Sequence, residues 1–274
     1  MTNRRKLWLI LGALCLVSCS YVRGKLWERS SEAGNRAEQQ GQYWDAQKAW
    51  LDALKQAEGF GHQDPRLLTT LDRLAGLYFA QGKYAEAEPY YRRALEVRQE
   101  TLGFEHADVA TNMNNLATVY RVQGKFAEAE PLYAQALNLR EKVLGPNHPS
   151  VGSVLHSVAA LYYVQGKYAK AEPLFERLLT IMQKSLGPDH PDLATILHNL
   201  ARVYDNQGKL AKAEPLYRRA LAITEKTMGP DDPEVATVLT NYASLLRKTG
   251  RSTEALRMEM RARVIREKQP VPKN

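Results

Sequence analysis

Residues 81–89 read Gln-Gly-Lys-Tyr-Ala-Glu-Ala-Glu-Pro, and residues 123–131 read Gln-Gly-Lys-Phe-Ala-Glu-Ala-Glu-Pro. Two later copies keep the block but replace its first glutamate with Lys170 and Lys212. The glycine of the block recurs every 42 residues, at positions 82, 124, 166, 208 and 250. A fixed period of this length is the signature of a repeat protein, in which short structural units stack on their neighbours.

Each repeat is predicted to contain two helices. Apolar residues recur at helical spacing from about residue 191 to Asn206, and Gly208 then ends this first helix because glycine enters the left-handed conformation at little cost. The second helix is predicted over 210–228, with Pro215 one turn inside, where it removes a backbone hydrogen bond or bends the helix. Prolines suited to the first position of the first helix recur at residues 149, 191 and 233.

Small and aromatic residues that recur once per repeat predict the core. Alanines recur on the first helices at 75, 117, 159, 201 and 243, and on the second helices at 87, 129, 171, 213 and 255. We expect them to let the two helices approach closely. Aromatic residues at 78, 120, 162 and 204, and at 91, 133, 175 and 217, are predicted to fill the gaps between stacked pairs.

The pattern Leu-Ala-x-x-Tyr, Gly-Lys-Tyr/Phe-x-x-Ala and Arg/Gln-Ala-Leu resembles the tetratricopeptide repeat. The 42-residue period and the Leu-Gly-Pro-x-His-Pro linker at 144–149 and 186–191 are similar to the kinesin light chain subtype. The resemblance implies an all-α solenoid, a right-handed superhelix of stacked helix pairs. Residues 64–269 would form five 42-residue units with a capping helix at the C-terminus, and residues 270–274 a tail.

Residues 30–63 look like a divergent first repeat. The residues that fall on the expected positions of a shorter unit are Ala37, Gly41, Ala46, Trp50 and Ala53. The last second helix also departs from the pattern, because Leu256-Arg257 stands where Glu-Pro stood before. A polar terminal helix is what a solenoid needs to close its stack.

The first twenty residues indicate export. Arg4-Arg5-Lys6 precede an apolar run over 7–17, which is typical of a secretory signal and shorter than a membrane span. Leu16-Val17-Ser18-Cys19 resembles the bacterial lipobox, which implies that residues 1–18 are cleaved, that Cys19 carries lipid and that residues 19–29 form a tether. Ser20, where a sorting rule would require Asp for retention, implies an outer-membrane lipoprotein that faces the periplasm if the cell is Gram-negative.

Charge and motifs exclude several functions. The formal net charge is +8, and loss of residues 1–18 removes three basic residues and no acidic one, which leaves +5. Basic residues are spread once or twice per repeat, so nucleic-acid binding is disfavoured. The sequence has no phosphate loop or nucleophile elbow, and the repeats leave no room for a catalytic domain. We therefore expect no enzyme activity, no cofactor, no metal and no small-molecule substrate.

Histidines recur at two places in the repeat. His106, His148 and His190 lie in the linkers, where they are predicted to cap helices. His156 and His198 lie 42 residues apart on first helices and could be neighbours. Two imidazoles without a further ligand at suitable spacing make a poor zinc site, so groove lining is the preferred interpretation.

The resemblance implies that the first helices line a concave groove for an extended peptide or a partner helix. Transferred to this sequence, the candidate peptide-groove residues are Asn114, Asn115, Arg121, His156, Tyr163, His198, Asn199, Arg202, Asn206, Asn241 and Arg247. The same face also includes Asp72, Arg73, Thr118, Ser157, Asp205, Thr240 and Lys248. Since five of these residues are cationic and two are acidic, we expect an acidic or carboxylate-terminated partner segment. A solvated face without a dedicated ligand is the competing interpretation.

The combined hypothesis is a lipid-anchored scaffold or adaptor that binds an envelope protein. Its role would be the assembly of a secretion, pilus or polysaccharide-export complex. The alternatives are a non-catalytic regulatory subunit of an envelope enzyme and, less favoured, a nucleic-acid-binding protein.

Overall fold

The computed structural model describes the backbone of residues 3–269 and the side chains of residues 20–269. Over that range, twelve α-helices and one short 3-10 turn form the regular structure, and no strand is present. The chain divides into two compact units, Met1–Leu139 and Arg140–Asn274, which are described separately. The all-α prediction is confirmed.

The first unit holds five helices and most of a sixth. They are α1 (Asn3–Gln39), α2 (Tyr43–Ala57), α3 (Pro65–Ala80), α4 (Tyr84–Leu102), α5 (Ala107–Val122) and α6 (Phe126–Leu144), with the 3-10 turn over Glu58–Phe60. Consecutive helices pack against each other, with α1 on α2 and α3 on α4 as pairs. The second unit begins near the end of α6.

The second unit holds three complete helix pairs. Its helices are α7 (Val151–Val164), α8 (Tyr168–Leu186), α9 (Leu193–Asn206), α10 (Leu210–Met228), α11 (Pro233–Lys248) and α12 (Ser252–Glu267). Each first helix packs on the second helix of its own pair, and α8 and α10 also contact the first helix of the next pair. The predicted bounds of α9 and α10 agree with these to within two residues, and Pro215 lies inside α10 as predicted.

Glycine makes the turn inside each pair. Gly208 has φ +74°, and its repeat equivalents have φ between +70° and +79°. This left-handed conformation lets Lys209 N donate to Tyr204 O at 2.9 Å, which satisfies a carbonyl at the end of α9. The predicted glycine turn is confirmed.

Alanines form the contact between the two helices of a pair. All ten repeated alanines are fully buried. Most of the repeated aromatic residues are buried as well, although Tyr91 and Tyr162 are only half-buried. Some reach the preceding pair, since Tyr204 Oη donates to Glu176 Oε1. The core prediction is therefore confirmed for all ten alanines and for six of the eight aromatic residues.

An ion pair between successive repeats explains why the Gly-Lys and Ala-Glu-Pro blocks recur together. The cation after the glycine reaches the glutamate of the preceding block, in Lys125–Glu88 at 2.8 Å, Lys209–Glu172 at 2.5 Å and Arg251–Glu214 at 2.6 Å. The Lys209 ammonium lowers the pKa of the Glu172 carboxyl. Because the cations are partly exposed, each pair adds little free energy and mainly fixes register.

The linker histidines accept a backbone N–H just before the first helices, and His106 is the N-terminal cap of α5 as predicted, whereas Ser150 and Asp192 hold the cap positions of α7 and α9. His106 Nδ1 accepts from Asp108 N at 3.1 Å, and His148 and His190 make the same bond at 3.1 and 3.2 Å to the residue two positions on. The proline prediction was correct only for Pro233, which begins α11. Pro149 and Pro191 lie two residues before α7 and α9, because a tight turn begins at the preceding histidine, with Val151 N donating to His148 O at 2.9 Å.

The divergent first pair folds as expected. Ala37, Ala46, Trp50 and Ala53 are buried together between α1 and α2, and Gly41 has φ +68° in the connecting turn. Gly34 leaves room for the Trp50 indole, since a Cβ there would lie 2.7 Å from that ring. The helix α1 continues back through the predicted tether. The side chains of the predicted signal peptide and of Cys19 lie outside the described residues. Among the residues that the structure describes, no helix combines the length and the hydrophobicity that a membrane-spanning segment requires.

The terminal helix α12 exposes apolar side chains as well as polar ones. Its buried side chains are Ala255, Ala262 and Ile265, and its exposed ones include Leu256, Met260 and Val264 at helical spacing. In α10 the equivalent positions include Glu214, which contacts the next pair. In α12 these positions have no further pair to contact within the described chain.

We predict opposite effects for two glycine-to-alanine substitutions. Gly208→Ala places a side chain in the left-handed region and should lower the free energy of unfolding by about 1–2 kcal/mol. Gly76→Ala, within α3, adds a methyl group to open space at an ordinary helical position and should raise it by about 0.5–1 kcal/mol. Chemical denaturation of both variants measures the difference. Equal signs would contradict the role assigned to the turn.

Candidate functional site

Polar side chains of neighbouring first helices are joined in the second unit. Asn199 Nδ2 lies 3.2 Å from His156 Nε2, and Asn241 Nδ2 lies 2.8 Å from His198 Nε2. Each bond joins residues 43 positions apart, so a side chain meets the residue that follows its own equivalent in the next repeat. We call these contacts on α7, α9 and α11 the first-helix ladder. It brings together His156, His198, Asn199 and Asn241, as predicted for one face.

The two histidines in the ladder are hydrogen-bond acceptors. An amide nitrogen donates, so the Asn241 amide requires an unprotonated Nε2 on His198. His198 is 7% exposed, and its burial, together with the nearby Arg202 charge, lowers its pKa to about 4. The His198 ring is therefore neutral at physiological pH. It also packs at 5.9 Å from the Tyr217 ring, which holds its orientation.

A second rung of the ladder lies one to two turns further along the helices. Asn206 Nδ2 donates to Tyr163 Oη at 3.2 Å, and the Arg202 guanidinium lies 4.6 Å from the centre of the Tyr163 ring. This is cation–π geometry, which positions the arginine without neutralising its charge. Arg202 makes no ion pair with any residue whose side chain is described. On this face of the second unit, Arg202 is therefore a cation whose charge is not balanced by a described carboxylate, unlike Arg247 and Lys248.

The sequence placed Arg247 on the groove, and the structure ties it to the second helix of its own pair. Arg247 donates to both carboxylate oxygens of Glu259 on α12, at 2.8 and 2.6 Å. Its neighbour Lys248 belongs to the ladder instead, with Nζ 2.7 Å from Asp205 Oδ1. Of the residues assigned to this face from the sequence, Arg247 is therefore paired with its own second helix, whereas Asp205 and Lys248 pair with each other across two first helices.

In the first unit the candidate residues lie on α5. The Asn114 amide oxygen and the Arg121 Nε are buried without a hydrogen-bond partner, and Asn115 lines a cavity beside α3. Thr118 Oγ1 turns back to Asn114 O at 2.8 Å and also contacts Tyr133 Oη at 3.0 Å. These residues do not form a ladder of the kind seen in the second unit.

The net positive charge expected of the groove is largely compensated inside the protein. Lys248 and Arg247 are paired as described, and Arg73 Nη1 lies 3.3 Å from Glu38 Oε2. Asp72 in turn is held by Arg98. Of the five cations counted from the sequence, Arg121 and Arg202 remain without an ion pair among the described side chains. An acidic partner would therefore be recognised by fewer charges than the sequence suggested.

The histidines do not assemble into a metal centre. Over residues 20–269, no group of three or more metal-ligating side chains comes together. His156 and His198 each bond to an asparagine of the next repeat, so each imidazole serves the ladder.

Stacked helix pairs with a polar face on their first helices define the class of helical repeat proteins. Residues 67–108, 109–150, 150–226 and 206–268 match family models described as tetratricopeptide repeat. These matches span most of the chain, and the protein belongs to the tetratricopeptide-repeat family. Proteins of this family are generally non-catalytic scaffolds for protein–protein binding, and neither match is to an enzyme family. No curated protein matches the chain.

Solved structures share the fold. The nearly identical, kinesin light chain-like TPR repeats from Podosopora anserina are 28% identical with a TM-score of 0.63, over 73% of this chain and 95% of theirs. BtubC (BKLC) from P. vanneervenii is 21% identical with a TM-score of 0.65, over 92% and 95%. PilF of Pseudomonas aeruginosa is 16% identical with a TM-score of 0.60, over 90% and 95%. The last two show the fold alone.

We predict that His198 titrates far below the ordinary pKa of a histidine side chain. Its pKa should be about 4, and Arg202→Met should raise it because one repelling charge is removed. The unfolded chain takes up a proton near pH 6.5 and the folded one near 4, so the free energy of unfolding should decrease as the pH falls through this window. NMR titration of the imidazole signals measures the pKa directly. A His198 pKa near 6.5 would refute the buried, neutral ring.

Proposed function

We propose that this protein is a lipid-anchored tetratricopeptide-repeat adaptor that binds an extended segment of an envelope protein along its first helices. The observation that carries the proposal is the first-helix ladder, in which Asn199, Asn206 and Asn241 are held in place by the preceding repeat. Asn199 and Asn241 each retain one amide N–H and the amide oxygen, and Asn206 retains its amide oxygen, so the ladder offers donors and acceptors to the main chain of an extended peptide. Side chains that are already positioned lose little entropy on binding.

An acidic residue of the partner is proposed to dock on Arg202. The Arg202 guanidinium stacks on Tyr163 and has no carboxylate partner among the described residues. It can therefore donate two parallel hydrogen bonds to a carboxylate of the partner protein. Arg121 offers a second such cation in the first unit. A partner segment with spaced acidic residues is therefore the proposed ligand, and its assembly role is proposed to lie in a secretion, pilus or polysaccharide-export complex.

The lipobox-like sequence Leu16-Val17-Ser18-Cys19 supports the proposed location in the envelope. Two or more acyl chains would hold the protein stably at a bilayer, since each buried methylene contributes about 0.8 kcal/mol. The helix α1 leads directly from this region into the first helix pair, so the repeats would sit close to the membrane surface. The proposed site is the periplasmic face of an outer membrane.

We predict that Cys19→Ala abolishes incorporation of labelled palmitate and moves the protein from the membrane fraction to the soluble fraction. Cys15→Ala is the matched control, because this thiol lies within the segment proposed to be removed. It should leave both labelling and fractionation unchanged. Equal labelling of the wild type and Cys19→Ala would refute the anchor.

A photo-crosslinking amino acid at Ser157 should capture the partner in living cells. Ser157 lies on α7 next to His156, whereas Lys226 is exposed on the second helix α10 and serves as the control position. We expect one dominant crosslinked protein at Ser157 and none at Lys226, identified by mass spectrometry. Equal capture at both positions, or none at Ser157, would contradict binding along the first helices.

The double variant Arg121→Ala, Arg202→Ala should weaken binding of the captured partner by roughly tenfold, because two charge-assisted hydrogen bonds are lost. Arg247→Ala is the matched control, since that guanidinium is already occupied by Glu259. It should change the affinity less than twofold. An affinity that is insensitive to the double variant and to added salt would remove the acidic-segment part of the proposal.

A further inference from the structure

The first unit contains a cavity that the ladder does not use. It has a volume of about 190 Å³ and lies between α3, α4 and α5, where Asp72, Tyr91, Arg98, Asp108, Asn112 and Asn115 line it. A water molecule occupies about 30 Å³ in the liquid, so the cavity can hold the end of a long side chain. Asn115 connects it to the face that carries the candidate groove residues.

Asn112 is the unusual residue of this cavity. Its side chain is 2% exposed, and its amide oxygen has no hydrogen-bond partner. In the later repeats the equivalent positions are apolar and buried, as Val154, Ile196 and Val238. In the preceding repeat it is Thr70, whose hydroxyl accepts from Trp27 Nε1 at 3.0 Å. A buried acceptor without a donor is costly for folding, and here it points to a donor that comes from outside.

The charges around Asn112 favour a cation. Arg98 is 15% exposed, and both Asp72 oxygens hold its guanidinium, so this pair is internally neutral. Asp108 adds a carboxylate that lies 3.7 Å from His106 Nδ1. That nitrogen accepts the Asp108 backbone N–H, and it is too far from the carboxylate for a hydrogen bond. One carboxylate and one buried amide oxygen therefore remain to receive donors.

We propose that this cavity binds the cationic end of a lysine or arginine side chain carried by the protein partner. The ammonium or guanidinium donates to Asn112 Oδ1 and to the Asp108 carboxylate, while Tyr91 provides a wall for the methylene stem. The inference rests on the proposed function, because it assigns one side chain of the segment that binds along the first helices.

The second unit provides an internal comparison. Around α7, α8 and α9, the positions equivalent to Asp72, Arg98 and Asn112 are His156, Met182 and Ile196. The aspartate of the site is retained there as Asp192, which also lies 3.7 Å from the linker histidine His190. Asp108 and Asp192 therefore supply the same carboxylate in both units, but the buried amide of Asn112 is replaced by the apolar side chain of Ile196. We therefore expect the cationic site only in the first unit.

The test is an NMR titration of the full, isotope-labelled chain with Nα-acetyl-lysine amide. Nα-acetyl-norleucine amide, which has the same stem and no charge, is the control probe. The lysine probe should shift the Asn112 and Asn115 side-chain amide signals saturably, and the norleucine probe should not. Spermidine is titrated in parallel, to separate a partner side chain from a free polyamine.

Two variants separate binding from folding. Asn112→Val introduces the residue that the chain itself uses at 154 and 238, so it should leave the melting temperature unchanged or raise it while weakening the lysine probe by roughly tenfold. Asp108→Asn should weaken the probe several-fold. Asp192→Asn is the matched control in the second unit and should change the affinity less than twofold.

Three results would overturn the inference. These are equal shifts from the lysine and norleucine probes, an unchanged affinity in Asn112→Val, and binding of spermidine about a hundredfold tighter than the lysine probe. If crosslinking at Ser157 still captures a partner in the first two cases, the adaptor function stands and only the cationic pocket fails. A working lysine site without any partner captured at Ser157 would instead count against the adaptor function.

Discussion

The structure depends on the close contact of two helices through alanine. Each of the five 42-residue pairs buries an alanine from its first helix and one from its second, with no exposed surface on either. Larger side chains at these positions would overpack the contact and push the helices apart. The glycine turn makes the contact possible, because its left-handed backbone reverses the chain within a few residues. Every other repeated feature, from the aromatic layer to the Lys209–Glu172 ion pair, requires the pairs to be spaced in this way.

This spacing also decides which polar residues meet on the first helices. Successive first helices are offset so that a side chain contacts the residue 43 positions along, as in His156 with Asn199 and Asp205 with Lys248. In the second unit the repeating scaffold therefore builds a row of polar contacts between successive first helices. The asparagine side chains of this row are positioned by hydrogen bonds to the preceding repeat, so their orientation does not depend on a bound ligand. Lys248 is neutralised within this row and Arg247 by its own second helix, whereas Arg202 has no ion pair among the described side chains.

Corresponding positions in different repeats show how one architecture acquires local chemistry. The place occupied by Asn112 is filled by Val154, Ile196 or Val238 in the three later repeats. At these later positions the side chain completes the core, and at Asn112 it leaves an acceptor facing a cavity. The scaffold tolerates the exchange because each repeat contributes its own share of stability, largely independent of distant repeats. A site can therefore be placed in one repeat without changing the fold of the others.

The sequence by itself determined the repeat, the two helices of each unit, the glycine turns and the buried alanines, because these follow from local preferences repeated at a fixed period. It also identified the face that carries His156, His198 and the asparagines, and His106 as a helix cap. It could not tell that Arg247 turns to Glu259 while Lys248 joins Asp205, or that Arg73 is neutralised by Glu38. Nor did it single out Asn112, although a polar residue at a position that is apolar in all three later repeats was a visible signal. Only the tertiary structure decided these partners, because they depend on how far one helix is shifted along the next, and that shift is set by packing between residues distant in the chain.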